Sequence, residues 1–148
     1  ETVQIRGVDS TNRKTSATLD AGAKIIITER LMTHGSQRAE SHFCVDLNGA
    51  GSSANLISRS VAKEDSTQLF VSKINGNNLC AGHSECDGII MDNAKISAVP
   101  EITANHLDAA LIHEAAIGKI AGDQLIKLMT LGLTAQEAEE QIVNGFLK

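Results

Sequence analysis

The near absence of large aromatic side chains most constrains what this chain can fold into. The sequence has no Trp, no Tyr and one Pro in 148 residues, and aromatic residues make up 2% of it. Globular sandwiches and helix bundles usually fill their cores with aromatic side chains. A core of Ile, Leu, Val and Ala divided by many turns is typical of stacked rungs of small side chains. The composition therefore favours a solenoid.

Short extended runs separated by Gly, Asn, Asp and Ser recur along most of the chain. They are VQIRGV (3–8), AKIIIT (23–28), HFCVDL (42–47), NLISRSV (55–61), QLFVSKI (68–74), GIIM (88–91), KISAV (95–99) and LDAALI (107–112). Several of their centres lie about 20 residues apart, a period that the coils of a β-helix can show. A meander or a sandwich can show the same spacing, so periodicity alone leaves both architectures open.

The pattern changes after Gly118 and indicates two short helices. In AGDQLIKLMTLGL the apolar residues follow steps of three and four, with Asp123 predicted as the N-cap and Gly132 beyond the helix end. In TAQEAEEQIVNGFLK, Thr134 and Glu137 form a predicted capping box. The two short helices, joined by LGLT, form a predicted helical hairpin. Each helix is marginal alone, so their apolar faces must be buried against each other, the β-structure or a partner. We therefore expect a β-helix core domain over residues 1–118 and a C-terminal helical segment over residues 119–148.

Charge and cysteine content argue against several classes of protein. There are 13 basic and 18 acidic residues, a net charge of −5, and no basic stripe for nucleic acid or membrane surfaces. No apolar run approaches the roughly 20 residues of a membrane span, and the first residues, ETVQIRGVDS, do not resemble a signal peptide. Three widely spaced cysteines indicate free thiols rather than a disulfide framework. We expect a soluble cytoplasmic protein.

The segment CAGHSEC places Cys80, His83 and Cys86 at a spacing that zinc or iron could use. Structural zinc takes four ligands, and no second ligand pair follows at the spacing of a zinc finger or ribbon. Cys80 can equally be a small buried residue and His83 a turn residue. Cys86 differs, because it lies between Glu85 and Asp87 at what the pattern predicts is the entrance of a strand.

A second group of candidate ligands lies downstream in LIHEAAIG. If the strands stack in register, residues about one coil apart become neighbours, and His113 and Glu114 lie roughly one coil after Cys86. The three side chains could then meet in one site. The alternative is that His113 bonds a backbone carbonyl and Glu114 is solvated. The sequence has no G-x-S-x-G motif, phosphate loop or dinucleotide fingerprint.

These residues carry a resemblance to a known family. The segment ECDGIIMDNAKISAVPEI, with HEAAIGKIAGDQLIKLMTLGLTAQEAEEQIVNGFL after it, resembles the C-terminal half of the SufB/SufD family. That family comprises the core subunits of the SUF system, which assembles iron–sulfur clusters. The resemblance is clearest over residues 83–147 and looser over residues 1–82. Family members are considerably longer, so we expect the chain to be a C-terminal piece whose upstream region is missing.

The resemblance implies a fold, a site and partners. The family fold is a right-handed parallel β-helix capped by C-terminal helices that bind an ABC-type ATPase subunit. The family's Cys-Asp motif falls on Cys86 and its His-Glu pair on His113 and Glu114. These residues are implied as ligands of a transient iron–sulfur cluster, with no stably bound cofactor, and Cys80 and His83 are weaker candidates for iron binding. Thiolate, imidazole and carboxylate are all suitable iron ligands.

The departures from the family pattern bear on the type of subunit. Ile112 stands where the scaffold subunit often has an acidic residue, and LIKLMTLG replaces an aromatic-rich helix. Cys86 and Glu114 argue against the companion subunit. We predict a shorter relative that forms a homodimer, with a SufB/SufD-like heterodimer as the alternative, and a twofold axis would bring two copies of Cys86 and His113 together.

Three functions follow from these observations. The first is a non-enzymatic scaffold on which nascent clusters are built while a bound ATPase drives conformational change. The second is a purely structural subunit that docks the ATPase and binds no cluster. The third, a polysaccharide-active β-helix enzyme, is disfavoured because sugar sites generally use Trp and Tyr, and the chain has neither.

Overall fold

A computed structural model describes residues 1–5 and 9–148 of the chain. The described residues form nine strands followed by two helices. They are β1 (Thr2–Gln4), β2 (Ser10–Leu19), β3 (Lys24–Thr33), β4 (Arg38–Leu47), β5 (Ser52–Ala62), β6 (Thr67–Gly76), β7 (Cys80–Ile90), β8 (Lys95–Ala104), β9 (Ala109–Gly118), α1 (Gly122–Met129) and α2 (Ala135–Phe146). The predicted run over residues 3–8 lies partly outside the described residues.

The strands alternate between two parallel sheets. The odd-numbered strands form one sheet in the order β1-β3-β5-β7-β9, and the even-numbered strands form the other in the order β2-β4-β6-β8. Every pairing is parallel. Because consecutive strands belong to different sheets, the chain winds as a β-solenoid with two strands in each coil. This confirms the predicted mainly β fold, a parallel β-helix followed by two C-terminal helices.

The coils are longer than the sequence predicted. Stacked positions lie 28 residues apart at Asn12 and Glu40, and 29 apart at Glu29 and Ser58. The predicted period of about 20 residues is therefore wrong. Apolar runs mark only the parts of each strand with large side chains, and the polar strand β2, STNRKTSATL, has almost none.

Alternation of side chains explains both the strands and the core. Along β4 the buried residues Ala39, Ser41, Phe43, Val45 and Leu47 alternate with half-buried polar ones. Small side chains at many interior positions let the two sheets face each other closely, and Phe43 and Phe70 pack with ring centroids 5.7 Å apart. The main core consists of Leu19, Phe43, Val45, Leu47, Ala54, Leu56, Phe70, Ile74, Cys80 and Cys86.

The turn after β4 packs directly on the turn one coil below. A Cβ atom added at Gly49 would lie 1.9 Å from the backbone nitrogen of Ala21. No rearrangement of a side chain can relieve a contact with backbone. Gly49 is therefore required by close approach of two chain segments.

The two C-terminal helices confirm the predicted helical hairpin. Helix α2 begins with the predicted capping box, in which the Thr134 side chain accepts from the Glu137 backbone N–H. Helix α1 begins two residues earlier than predicted, so Asp123 lies in its first turn, and Ala121 occupies the N-cap without a side-chain hydrogen bond. The strands end at Gly118 and α1 begins at Gly122. The division into domains at residues 118 and 119 stays a prediction.

The helices differ in how deeply they pack. Helix α2 buries Ala138 and Val143, and Val143 joins a second apolar cluster with Val61, Met91 and Leu147. Lys63 Nζ also lies 3.2 Å from Glu139 Oε1, which ties α2 to the solenoid. Helix α1 has no buried residue in the described part of the chain. Neither helix of the described residues has the length and apolar character needed to cross a membrane.

The solenoid ends in a coil whose outer edges are open. This terminal coil consists of β8, the turn over residues 105–108 and β9, and in the described residues no further strand pairs beyond β8 or β9. Four large apolar side chains of this coil are exposed, namely Val99, Ile102, Leu107 and Ile112. The terminal coil therefore presents unpaired backbone groups beside apolar surface, a combination suited to pairing with another chain.

Candidate functional site

Cys86 lies in the middle of β7 and points into the solenoid. Strand alternation places it on the interior face, where it is 0% exposed and stacks on Ser58 of β5. Burial raises the pKa of the Cys86 thiol to about 12, with the charges of Asp87 and Glu29 adding to the increase. In this arrangement the side chain is a neutral thiol at physiological pH. The predicted position at a strand entrance is wrong, because β7 begins six residues earlier at Cys80.

His113 lies on the same interior face, one strand further along. It is in register with Ser84 of β7, whereas Cys86 is in register with Ala115, so Cys86 and His113 are diagonal neighbours in the terminal part of the odd-numbered sheet. His113 Nδ1 is buried and has no hydrogen-bond partner within the described residues. The structure thus places a thiol and an unsatisfied imidazole nitrogen on adjacent strands of the interior wall.

Glu114 follows His113 in β9 and therefore points the other way, out of the solenoid. Its Oε2 lies 3.2 Å from His83 Nε2 of β7, and its side chain is 66% exposed. Successive residues of a strand face opposite sides of the sheet. Of the three predicted ligands, the structure brings Cys86 and His113 to one face and leaves Glu114 on the other.

The segment CAGHSEC lies in a strand and not in a loop, so its spacing does not bring Cys80, His83 and Cys86 together. The whole segment belongs to β7, so Cys80 and Cys86 are buried on the interior face and His83 lies on the outer face. His83 is therefore not a turn residue. Within residues 1–5 and 9–148, no three His, Cys, Asp or Glu side chains are grouped closely enough to hold a metal ion. The described residues of one chain therefore do not form a ligand set for iron in this arrangement, and the assignments of Cys86, His113, Glu114, Cys80 and His83 stay predictions.

The outer face around Glu114 carries several acidic groups. Glu114 is in register with Glu85, and Asp87 lies two residues further along β7 on the same face. The pKa of Glu85 is raised by partial burial, by its hydrogen bond with Asp87 and by the negative charge of Asp87, while the charges of Arg59 and His83 act in the opposite direction. Among the neighbouring charged groups, Asp87 therefore has the largest effect on the pKa of Glu85.

A buried polar cluster that the sequence reasoning missed lies below Cys86. The Glu29 carboxylate is 1% exposed and accepts hydrogen bonds from Ser41 Oγ at 2.5 Å and Ser58 Oγ at 3.1 Å. Arg13 Nη2 forms an ion pair with it at 2.9 Å. Glu29, Ser58 and Cys86 are successive members of one interior column. One sequence feature could have revealed this cluster: in the alternating run IIITERLM, Glu29 occupies a position that faces inward.

The three cysteines differ in accessibility. Cys80 and Cys86 are buried, and Cys44 is half-buried on the outer face of β4. All three are free thiols. Cys44 therefore offers a matched comparison for Cys86 within the same chain.

The fold and these residues define a class of protein: a parallel β-solenoid that ends in an open coil and is followed by two helices, with a cysteine on β7 beside a histidine on the edge strand β9. The family model for the SUF system FeS cluster assembly, SufBD core domain, matches residues 2–146. The chain belongs to the SufBD family, as the resemblance predicted.

Individual relatives agree with this assignment. An iron-sulfur cluster assembly SufBD family protein of Methanothermobacter thermautotrophicus is 42% identical over 106 residues, which cover 70% of this chain and 26% of the relative. A SufBD family protein of Pyrococcus horikoshii is 40% identical over 102 residues, covering 68% of this chain and 31% of the relative. The iron-sulfur cluster assembly protein SufB of Bacillus subtilis is 31% identical over 100 residues, which cover 65% of this chain and 22% of the relative. The matches thus span about a fifth to a third of the length of these relatives.

Proposed function

We propose that the chain is part of a scaffold on which nascent iron–sulfur clusters are assembled, and that the paired strands β7 and β9 at the end of the solenoid are the place of assembly. The observation that carries this proposal is the adjacency of Cys86 and His113 on the interior wall of β7 and β9. Glu114 is the third proposed ligand and approaches from the outer face of the same edge strand. In this function the cluster is cargo, and the chain itself is not an enzyme.

The ligand set is incomplete in one chain, so the proposal includes a second subunit. Cluster irons are commonly held by four side chains, mostly thiolates. Pairing of two subunits through the open edges of β8 and β9 would cover the apolar side chains exposed there and bring a second set of ligands close. A homodimer supplies two copies of Cys86 and His113, and a SufB/SufD-like heterodimer is the alternative.

Iron binding at Cys86 also requires loss of the thiol proton. The thiolate is the form that binds metals, and a thiol with a pKa of about 12 is almost entirely protonated at neutral pH. Iron at the site, or exposure of the interior wall when the terminal coil moves, would lower that pKa. The proposal therefore couples cluster assembly to a change at the open end of the solenoid.

We also propose that the C-terminal helices dock an ABC-type ATPase subunit. Helix α1 and the residues after it expose Ile126, Met129 and Leu131, with 61%, 46% and 73% of their surface accessible. Apolar side chains exposed together on a short helix and its following turn fit a protein partner. The variants Ile126→Asp and Met129→Asp should abolish copurification with the ATPase, whereas Gln136→Ala on α2 should not. Unchanged copurification of both aspartate variants would exclude this surface.

The proposed setting is the reducing cytoplasm, with neither nucleic acid nor membrane as a partner. Free thiols at positions 44, 80 and 86 fit a reducing compartment. The net charge of −5 gives no electrostatic support for binding phosphate-rich surfaces.

Anaerobic reconstitution with ferrous iron and sulfide tests the scaffold function. Wild type should take up iron and sulfide with the visible absorption of a cluster, and Cys86→Ser, His113→Ala and Glu114→Gln should each take up less. The matched controls Cys44→Ser and Glu101→Gln change the same residue types elsewhere and should load like wild type. Equal loading of Cys86→Ser and wild type would remove Cys86 from the site.

A second function is favoured by the burial of Cys86 and by the position of Glu114 on the opposite face. In this alternative the chain is a purely structural subunit that docks the ATPase and binds no cluster. It predicts no iron or sulfide in wild type after reconstitution, together with intact copurification of the ATPase. The two functions thus differ in metal content and share the docking result.

A further inference from the structure

His83 links three neighbouring strands on the outer face of the odd-numbered sheet. Its Nδ1 lies 3.1 Å from Asn55 Oδ1 on β5, and its Nε2 lies 3.2 Å from Glu114 Oε2 on β9. Asn55 and His83 are direct register partners, and Glu114 reaches His83 diagonally. The imidazole ring is therefore fixed from one side and contacts the Glu114 carboxylate from the other.

Glu114 needs such a contact to adopt one orientation. Its side chain is 66% exposed, so little packing restricts its rotamers. Its direct register partner is Glu85, a second carboxylate whose hydrogen bond is with Asp87. Like charges directly opposite each other on a sheet are unfavourable. The Glu114 carboxylate contacts His83, which lies two residues before Glu85 on the same face of β7.

We propose that His83 is a positioning residue that holds the Glu114 carboxylate ready for iron. This inference rests on the proposed function, in which Glu114 is a ligand of the assembling cluster. A carboxylate oxygen only accepts hydrogen bonds, so the contact of His83 Nε2 with Oε2 requires the ring proton to be on Nε2. Oε1 makes no hydrogen bond in the described part of the chain, so Oε1 is the oxygen left for iron. Carboxylates that bind metals are commonly held in this way by a second hydrogen bond.

The same geometry argues against His83 as a ligand itself. Both of its ring nitrogens already face polar partners, one on Asn55 and one on Glu114. The two cysteines with which it forms the C-x2-H-x2-C pattern are buried on the opposite face of the sheet. His83 therefore acts on iron through Glu114.

Substitutions that place an amide at the position of one ring nitrogen at a time distinguish a positioning role of His83 from a role as an iron ligand. In His83→Gln the side-chain amide takes the place of Nε2 and can still donate to Glu114. In His83→Asn the amide takes the place of Nδ1, so the contact with Asn55 is kept and the contact with Glu114 is lost. His42→Ala is the matched control, because His42 faces Glu40 on the outer surface of the other sheet, with 3.5 Å between Nε2 and Oε2.

The measurement is the affinity for ferrous iron, determined anaerobically by competition with a chromogenic chelator on the full chain. Wild type should bind iron, and Glu114→Gln, His83→Ala and His83→Asn should bind it about 10- to 100-fold more weakly, the usual effect of losing a group that supports a metal ligand. His83→Gln should restore most of the affinity, and His42→Ala should match wild type. Thermal unfolding of each variant checks that the solenoid is intact.

The possible results separate the inference from the function on which it rests. If Glu114→Gln weakens binding and His83→Ala does not, the positioning role is refuted and the scaffold function stands. If His83→Gln is as weak as His83→Ala, His83 is a ligand itself, which also overturns the inference. If wild type binds no iron, or Glu114→Gln binds as wild type does, the proposed role of Glu114 fails and the inference fails with it.

Discussion

Cys86 should make the folded chain less stable as the solution becomes alkaline. Its pKa is raised from 9.0 to about 12 by burial first and then by the charges of Asp87 and Glu29. The folded chain therefore holds the thiol proton more tightly than the unfolded chain. The contribution of this thiol to the free energy of unfolding is fully present below pH 9.0. The free energy of unfolding then falls as the pH rises toward 12, because only the unfolded chain gains from ionisation of the thiol in that range.

The size of the effect follows from the separation of the two pKa values. Each pH unit between them lowers the free energy of unfolding by about 1.4 kcal/mol. Raising the pH from about 8 to about 10.5 should therefore lower the free energy of unfolding by roughly 2 kcal/mol through this thiol alone. Domains are typically stable by only about 5–15 kcal/mol, so the change is large enough to measure.

Urea unfolding across this pH range, on wild type and on Cys86→Ala, isolates the contribution of the thiol. The Ala variant loses packing at all pH values but has no thiol at position 86 to ionise, and all other residues are the same in both proteins. The difference in unfolding free energy between the two should shrink by roughly 2 kcal/mol toward high pH. A difference that stays constant would show that Cys86 is not held as a buried neutral thiol. Cys44→Ala, at a half-buried position, should behave as wild type does.

Other changes test the packing of the solenoid and the stability of helix α2. Gly49→Ala should prevent stable folding, because the added methyl group meets the backbone of the preceding coil, whereas Gly145→Ala meets no atom within 4 Å and should stabilise α2 by about 0.5–1 kcal/mol in thermal unfolding. Glu29→Ala should cost about 3 kcal/mol in urea unfolding, because it leaves the guanidinium of Arg13 without its buried partner, and a loss under about 1 kcal/mol would contradict this. Thr134→Ala should lower the helical circular dichroism signal. In wild type that signal should also fall in acid, because hydrogen bonds to Thr134 lower the pKa of Glu137 and their stabilising effect is lost as the pH drops below 4.5 through that lowered value.

The sequence predicted the architecture because its signals were local. Small apolar side chains, few aromatics and repeated turn residues suffice for a solenoid, and the pair Thr134 and Glu137 suffices to begin α2. The register could not be predicted in the same way. Interior positions such as Thr11 and Arg13 in β2 are polar, so the alternation that defines the strand has no hydrophobic signal. Because β2 could not be recognised from the sequence, the repeat of 28 or 29 residues could not be predicted.

The candidate site was harder to predict than the fold, because it depends on which face of its strand each side chain occupies. A register shift of one residue exchanges the two faces of a strand. Cys86 and His113 were expected to meet, and the register makes them neighbours, whereas Glu114 was expected to join them and lies on the far side of β9. Adjacent residues of one strand cannot both point inward, so the pair His113 and Glu114 could never have formed one interior site within a regular strand.

This division of the proposed ligands constrains how a cluster could be assembled at the end of the solenoid. The sheet separates Cys86 and His113 from Glu114, and β9 is the last strand of that sheet in the described residues. Iron can contact both faces only around the free edge of β9 or after that strand has moved. The proposed partner subunit would pair with the same edge, beside the exposed side chain of Ile112. In the proposed function, cluster assembly and subunit pairing would therefore involve the same strand, so a subunit that completes the ligand set would have to approach β9 in a way that leaves His113 and Glu114 accessible to iron.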